Sequence, residues 1–486
     1  MGRRAGTLGL ALSLAGACSN DSAPAQEPAK SAPEADVEPT EPEPKCRDWS
    51  TLDLDEVPPL AEGKHAPLLD TVWRRVLEKH FDPTLGCLDW AKLREVHAEK
   101  IAEAANPQQA YAIVNDLLGE LKQSHLRLFP PTPDEDTPGP VAPPITVRWV
   151  DDQLVVVDSR AEGLQGPVLR GATVLGIDDV PIGKIVEQVR ARHPEHAFPR
   201  MIATTAAARM SCQRLGQFKK LKVTNPAKEQ RNAIRVVPCL EPEGERITLG
   251  NLRDVPTRVE HRLLEQGRIG VMHFNVWMLP MVKRMEAAMT ELRGKGMRGL
   301  ILDLRGNPGG VGAMAVPVAR MLVDEEVSLG TMRFRDFEQE LNVEPSGDAF
   351  GGPVAILVDE GTASTSEIFI VGLRDHGRVK VFGSRASAGA ALPSVIEELP
   401  GGALLQYVVA DYRSPKGTLV EGTGIEPDVV VAETRDDFAA GRDPVLMAAH
   451  GYLNEQLGPV ADPTADPSVE TGPSADGAAD STGAAP

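Results

Sequence analysis

The chain has 486 residues, a formal net charge of −19, and 42 % hydrophobic residues with 4 % aromatics. That length allows two to four domains, and that apolar share builds ordinary cores. About half of the negative charge lies in two tails: residues 19–45 hold seven acids against two lysines, and residues 459–486 hold five acids and no base. No basic patch stands out, so nothing points to a nucleic-acid partner.

Arg3-Arg4 is a basic n-region, and Ala5 to Ala17 is a small, apolar h-region ending Leu14-Ala-Gly-Ala-Cys18. Residues 1–18 resemble a bacterial lipoprotein signal with Cys18 as the lipidated residue. Ala15 stands where leucine is usual, which leaves an ordinary secretory signal open. The resemblance implies export and a lipid anchor to the cell envelope, on its periplasmic or surface side. Residues 19–45 carry six prolines and few apolar groups, the composition of an extended spacer. No other run is long enough to cross a bilayer. In an oxidising compartment the remaining cysteines, Cys46, Cys87, Cys212 and Cys239, have three possible pairings. Proximity in sequence favours Cys46–Cys87 with Cys212–Cys239.

Residues 46–136 read as a helical domain. Leu68, Leu69, Val72, Trp73, Val76 and Leu77 recur at helical spacing, and Asn106-Pro107 supplies a cap and a first-turn proline for a further helix. That helix runs out at Gln123-Ser124-His125. Pro131 to Pro144 reads as a linker. From residue 145 the period changes to that of strands, with Ile145 to Trp149 and Leu154 to Val157 around an Asp-Asp turn. Leu169-Arg-Gly-Ala-Thr-Val-Leu-Gly-Ile-Asp-Asp-Val-Pro-Ile182 resembles the most recognisable part of a PDZ domain, with Ala172 in place of the usual Asp and Asp179 in place of the usual Gly. A PDZ-like domain is therefore expected over residues 137–195. Such domains capture peptide C-termini by strand addition. Residues 196–258 read as a connecting β segment.

Residues 259–455 read as an α/β core with a largely parallel sheet. Gly270 to Phe274 is a strand and Met281 to Leu292 an amphipathic helix. Gly299 to Asp303 is a buried strand entering a glycine turn, with a helix from Ala313 to Leu322 behind it. Val354 to Val358 is a short β-branched run, and Ser364-Thr-Ser-Glu367 opens a helix directly after it. A serine at a sharp strand-to-helix turn is pushed out at the end of a sheet. The free N–H groups of the helix point at the same place. The same Ser-x-x-Glu is also a capping box, which needs no catalysis to explain it. Residues 456–486 form an acidic tail.

Three stretches occur together and in order: Asp303-Leu-Arg-Gly-Asn-Pro-Gly-Gly310, Val358-Asp-Glu-Gly-Thr-Ala-Ser-Thr-Ser-Glu-Ile368 and Gly422-Thr-Gly-Ile-Glu-Pro-Asp428. Together they resemble the C-terminal-processing (tail-specific) and tricorn-type serine peptidases, from about residue 66 to 432. The resemblance implies an α/β fold of the crotonase-like (ClpP/crotonase) type, carrying the helical and PDZ-like domains. It makes Ser364 the nucleophile and Ser366 structural. It gives the oxyanion amides to the Gly309-Gly310 turn and to Thr365. The processing-protease branch activates its serine with a lysine, but in Gly383-Ser-Arg-Ala-Ser-Ala-Gly-Ala390 the lysine position is Gly389. The tricorn-like branch uses a histidine after a serine, oriented through a glutamate, and here Ser124-His125 and Glu421 match.

The chemistry is coherent, because a neutral imidazole can take a serine proton near pH 7 if its other nitrogen is held. Peptide or protein substrates follow from that scheme. No cofactor or metal is expected, since no H-E-x-x-H or nucleotide-binding pattern occurs in a convincing context. Two rivals remain at the sequence level. One is a peptide- or hydrophobic-ligand-binding protein on the same fold. The other is a crotonase-type thioester enzyme, against which an export signal argues.

Overall fold

A computed structural model describes residues 46–60, 63–131, 140–226, 232–264 and 267–459. The expected signal peptide with Cys18, the spacer 19–45, residues 132–139 of the expected linker and all but the first four residues of the expected tail lie outside the described residues.

The N-terminal lobe packs α1 (Ala66–Lys79), α2 (Trp90–Ala102) and α3 (Pro107–Gly119). Helix α1 buries Leu69, Val72, Trp73, Val76 and Leu77, the stripe read from the sequence. Helix α3 starts as expected: the Asn106 side chain accepts the Gln109 N–H, and Pro107 stands at the first position. The sequence pattern does not reveal α2, which buries only Trp90, His97 and Ile101. Trp73 and Trp90 each donate the indole N–H to the other's carbonyl, at 2.8 and 3.2 Å. The disulfide Cys46–Cys87 ties the start of the lobe. After α3, strand β1 (Arg127–Phe129) pairs antiparallel with residues 404–406. Leu399, Ala403, Leu405 and Tyr407 join the lobe's core, so its packing does not stop near residue 136.

The second region is an antiparallel sheet with two helices. Its elements are β2 (Ile145–Val150), β3 (Gln153–Ser159), β4 (Thr173–Ile177), α4 (Ile182–Arg192), α5 (Phe198–Met210), β5 (Phe218–Thr224) and β6 (Asn232–Pro238), in the strand order β2-β3-β4-β5-β6. Asp151 and Asp152 turn the first hairpin at φ 50° and 54°, the positive values a tight two-residue turn needs. The bridges Val141–Cys212 and Ala142–Leu240 close the unit, together with the disulfide Cys212–Cys239. Both disulfides are thus the sequence-adjacent pairs. The sheet runs past residue 195: the hairpin β5–β6, expected in a connecting segment, belongs to it.

The core contains β7 (Val259–Leu263), β8 (Ile269–Phe274), α6 (Val282–Gly294), β9 (Gly299–Asp303), α7 (Ala315–Arg320), β10 (Val354–Val358), α8 (Thr365–Asp375), β11 (Val379–Gly383), β12 (Ser394–Glu398), β13 (Leu404–Val408) and β14 (Val429–Val430). The central order is β7-β8-β9-β10-β11-β14, parallel throughout except for the antiparallel edge β7. Met285, Leu292 and Phe369 cover one face, and Val445, Ala449 and Leu453 of the C-terminal helix Pro444–Leu457 cover the other. Burial on both faces explains the unbroken apolar run of β10, in which all five residues are buried. Strands β12 and β13 leave this sheet and pair with β1 in the order β1-β13-β12. Segments nearly three hundred residues apart in sequence, 127–129 and 404–406, are therefore paired in one small sheet.

Candidate active site

Strand β10 enters α8 through Asp359-Glu-Gly-Thr-Ala-Ser364, and this turn is laced to the turn after β9. Asp359 Oδ1 accepts the Gly306 and Gly361 N–H groups at 2.8 and 2.9 Å. Thr362 Oγ1 donates to the Leu304 carbonyl at 2.8 Å, and the Ala363 N–H donates to the Asn307 carbonyl at 3.0 Å. Ser364 is left at φ 57°, ψ −121°. A non-glycine residue in such a conformation costs about 1–3 kcal/mol and survives only where its surroundings over-determine it. A strained strand-to-helix turn of this kind presents a serine hydroxyl outward.

The capping box is present too, with Glu367 Oε2 accepting the Ser364 N–H at 3.0 Å. The two readings coexist, because a hydroxyl that accepts at a cap still has its own proton to give. Glu367 does more than cap. It is fully buried and also accepts from Ser387 Oγ at 2.5 Å, the Gly389 N–H at 2.8 Å and the Ala390 N–H at 2.9 Å. Burial pushes its carboxyl upward, against the pull of these donors. Ser366 is fully buried between the Trp277 indole, whose N–H it accepts at 2.8 Å, and the Asn307 carbonyl at 3.3 Å. It faces the interior, as expected of the structural serine.

The glycine turn divides its labour differently from the expectation. The Gly309 N–H donates to Asn307 Oδ1 at 3.0 Å, so Gly309 is corrected from oxyanion donor to spacer. Its contribution is the side chain it lacks. At φ 92°, a methyl group there would lie 2.5 Å from Ser364 Cβ and 3.0 Å from the Thr365 nitrogen. Gly310 also needs to be glycine, since a Cβ would meet the Trp277 carbonyl oxygen at 2.3 Å. The N–H groups of Gly310 and Thr365 have no hydrogen-bond partner among the described residues. They are the two donors open to a developing oxyanion. Asn307, not singled out in the sequence, organises this turn. Its amide donates to the Phe274 carbonyl at 2.8 Å while its oxygen holds Gly309.

Ser124, His125 and Glu421 do come together. Glu421 Oε1 accepts the Ser124 N–H at 2.7 Å, and Oε2 accepts the Ser124 hydroxyl at 2.9 Å and the Ala391 N–H at 2.9 Å. The Ser124 hydroxyl lies 2.7 Å from His125 Nδ1. With its proton given to the carboxylate, that hydroxyl can only accept from the ring. The proton of a neutral imidazole therefore sits on Nδ1, and Nε2 is left as a bare acceptor. Burial, reinforced by the Arg200 cation, holds His125 down at about 4. Burial pushes the Glu421 carboxyl up, opposed by its three donors. His125 is itself at φ 57°, so both proposed partners of a proton transfer stand on strained backbone.

One peptide unit links the two halves. The Ala390 carbonyl accepts the Ser364 N–H at 3.0 Å, and the N–H on the other side of the same unit, from Ala391, holds Glu421. Gly389 precedes it at φ 66°, and a Cβ there would lie 2.9 Å from the Gly424 nitrogen and 3.0 Å from the Thr423 nitrogen. The turn that follows Glu421 occupies the space a lysine side chain would have to leave through. The loop as folded here therefore has no room for a lysine at 389.

Residues 268–431 match the model for Peptidase family S41. Over 170 residues the chain is 32 % identical to a probable CtpA-like serine protease of Staphylococcus haemolyticus (strain JCSC1435), covering 35 % of this chain and 34 % of that protein. A probable CtpA-like serine protease of Staphylococcus epidermidis is 31 % identical over 170 residues, with the same coverage. The chain thus spans about a third of the length of the curated relatives it matches. Among solved structures, the photosystem II D1 C-terminal processing protease superposes with a TM-score of 0.50 at 20 % identity, covering 77 % of this chain and 94 % of that one. Mature CPAF complexed with lactacystin gives 0.56 at 15 % identity, covering 80 % and 96 %. At such identities the likeness is one of fold. Residues 268–431 of this chain are a Peptidase family S41 domain.

Proposed function

We propose that the protein is an exported serine endopeptidase working through an acyl-enzyme. The observation that carries this reading is the hydrogen-bonded chain from Glu421 through Ser124 to His125 Nδ1, which leaves Nε2 bare. Ser364 Oγ attacks a peptide carbonyl and passes its proton to His125 Nε2. The carbonyl oxygen, now negative, is held by the Gly310 and Thr365 N–H groups. His125 then gives the proton to the departing amine, and the C–N bond breaks. Water, deprotonated by the same nitrogen, hydrolyses the ester and restores Ser364.

The crotonase-like character of the core and the PDZ-like character of residues 141–240 belong to this proposal. The parallel sheet order supports the first, and the β2–β3 hairpin with β4 and α4 supports the second. Export and an acyl anchor on Cys18 rest on the sequence of residues 1–18, and mass spectrometry of the mature N-terminus tests them. The enzymatic reading is tested with a fluorophosphonate probe on the full chain. Labelling of wild type at Ser364, lost in Ser364→Ala and strongly slowed in His125→Ala, is expected. An inert Ser364 in a protein that still binds peptides would transfer the assignment to a ligand carrier.

A further inference from the structure

The turn that carries the base has little backbone support of its own. Between the end of α3 and β1, residues 122–125 make one backbone–backbone hydrogen bond among the described residues, from the Lys122 N–H to the Gly119 carbonyl at 3.0 Å. Lys122 and His125 both stand at positive φ, 53° and 57°, a conformation that survives only where neighbours impose it. Glu421 grips this turn at Ser124. The residue before it, Gln123, is gripped from within the N-terminal lobe by His80, a histidine that the catalytic chain does not use.

His80 ends α1 and is fully buried. Its Nε2 lies 2.7 Å from Gln123 Oε1. An amide oxygen can only accept, so Nε2 carries the ring proton, and the bare Nδ1 accepts the Asp82 N–H at 3.1 Å. Burial holds the His80 pKa below its ordinary value, which keeps the ring in this neutral form. The residue is itself pinned from the core. Its carbonyl accepts Arg335 Nε at 3.0 Å and a second nitrogen of that guanidinium at 2.6 Å, which also donates to the Leu77 carbonyl at 2.9 Å. A cation there meets the free carbonyls at the end of α1. Arg335 stands at the tip of the core hairpin formed by Val327–Phe334 and Glu338–Val343. A path from that hairpin through His80 and Gln123 thus reaches the backbone next to Ser124.

We propose that His80 and Gln123 form a brace that holds the Ser124-His125 turn in place, which makes His80 a positioning residue for the base. Ser124 and Glu421 set the tautomer and direction of the His125 ring, whereas the brace sets where its backbone stands. A base displaced by about 1 Å loses about 10²-fold in rate. The inference rests on the peptidase reading for the rate it predicts, but not for the placing of the ring, which is read separately.

The test compares the full chain as wild type, Gln123→Met, Gln123→Glu and Ile101→Val by two readouts. The first is the Nδ1–H proton resonance of His125, in protein isotope-labelled at its histidine nitrogens and assigned by its loss in His125→Ala. The second is labelling by a fluorophosphonate, resolved into the saturating rate and the probe concentration at half-saturation. Methionine fills the volume of Gln123 without accepting from His80. Its expected effect is a fall of about tenfold to a hundredfold in the saturating rate, at unchanged half-saturation, with the Nδ1–H signal broadened by exchange with water. Glutamate still accepts from Nε2, so Gln123→Glu is expected to recover most of the rate and the sharp signal. Adding His80→Phe to Gln123→Met should cost little more, because the two residues act as one unit. Ile101→Val thins the core of the same lobe and is expected to leave both readouts as in wild type. A Gln123→Met protein with wild-type rate and signal overturns the proposal. So does an equal loss in Ile101→Val, which would mean that lobe stability alone sets the rate. If wild type itself fails to label while Gln123→Met still broadens the signal, the hydrolase reading falls and the brace stands.

Discussion

The nucleophile turn and the histidine turn are built by opposite means. Ser364 sits where two turns of one sheet interlock, and Asn307, Asp359, Thr362 and Glu367 each fix it from within the core. His125 comes from the N-terminal lobe, and its neighbour Ser124 is 297 residues in sequence from the glutamate that anchors it. It is held by the pairing of β1 with β13 and by a single carboxylate. The first half is held by several side chains of one sheet, whereas the second reaches the core through a strand pairing and through the hydrogen bonds of Ser124 to Glu421. On the proposed mechanism, the side-chain bonds that orient the ring of the base all run through Ser124 and Glu421, whereas those that orient the nucleophile come from several residues.

The largest effect is expected from removing the nucleophile half's one irreplaceable atom. Ser364→Ala should lower peptide turnover by about 10⁴-fold or more with the thermal transition little changed, read by kcat/KM and by circular dichroism. Glu421→Gln should cost about 10²–10⁴ in kcat. The amide cannot accept from Ser124 N–H, Ser124 Oγ and Ala391 N–H together, so the Nδ1 proton loses its holder. If the comparison is right, this variant stays folded while the equally conservative Glu367→Gln, in the interlocked half, also loses stability. Gly309→Ala should lower kcat by about 10²–10³, because its methyl meets both Ser364 Cβ and the approach to the Thr365 amide.

Smaller and more diagnostic is the pH dependence. The base must be neutral to accept a proton. With His125 held at about 4, the acid limb of kcat/KM for the free enzyme should fall near there rather than near 6.5. The sign for stability follows from the same depression. Below about 6.5 the unfolded chain binds a proton at His125 that the folded chain refuses, so stability declines as pH drops from there towards about 4. A denaturant titration across that window checks it, and replacing His125 by Gln should flatten the slope.

What was legible in the sequence follows the same division. The β10 run, the Ser-x-x-Glu helix start and the Asn106-Pro107 cap are local signals, and each stands where its pattern places it. Helix α2 was hidden because it buries only three side chains. The β5–β6 hairpin was hidden because Lys219, Lys220 and Lys222 surround the two buried residues of β5, Leu221 and Val223. No periodicity could bring Ser124 to Glu421; that pairing came from family resemblance. Nor could a Gly-Gly pair disclose that one of its N–H groups is already taken by Asn307. That is a matter of hydrogen-bond accounting, which only coordinates supply.

The most direct test is the rate of peptide hydrolysis by His125→Ala against wild type at pH 7.5, with both proteins shown to be folded by their thermal transitions. A fall of about 10³-fold or more is expected. A variant within tenfold of wild type would show that the Ser364 proton leaves by another route, and would contradict the relay from Glu421 through Ser124 to the imidazole.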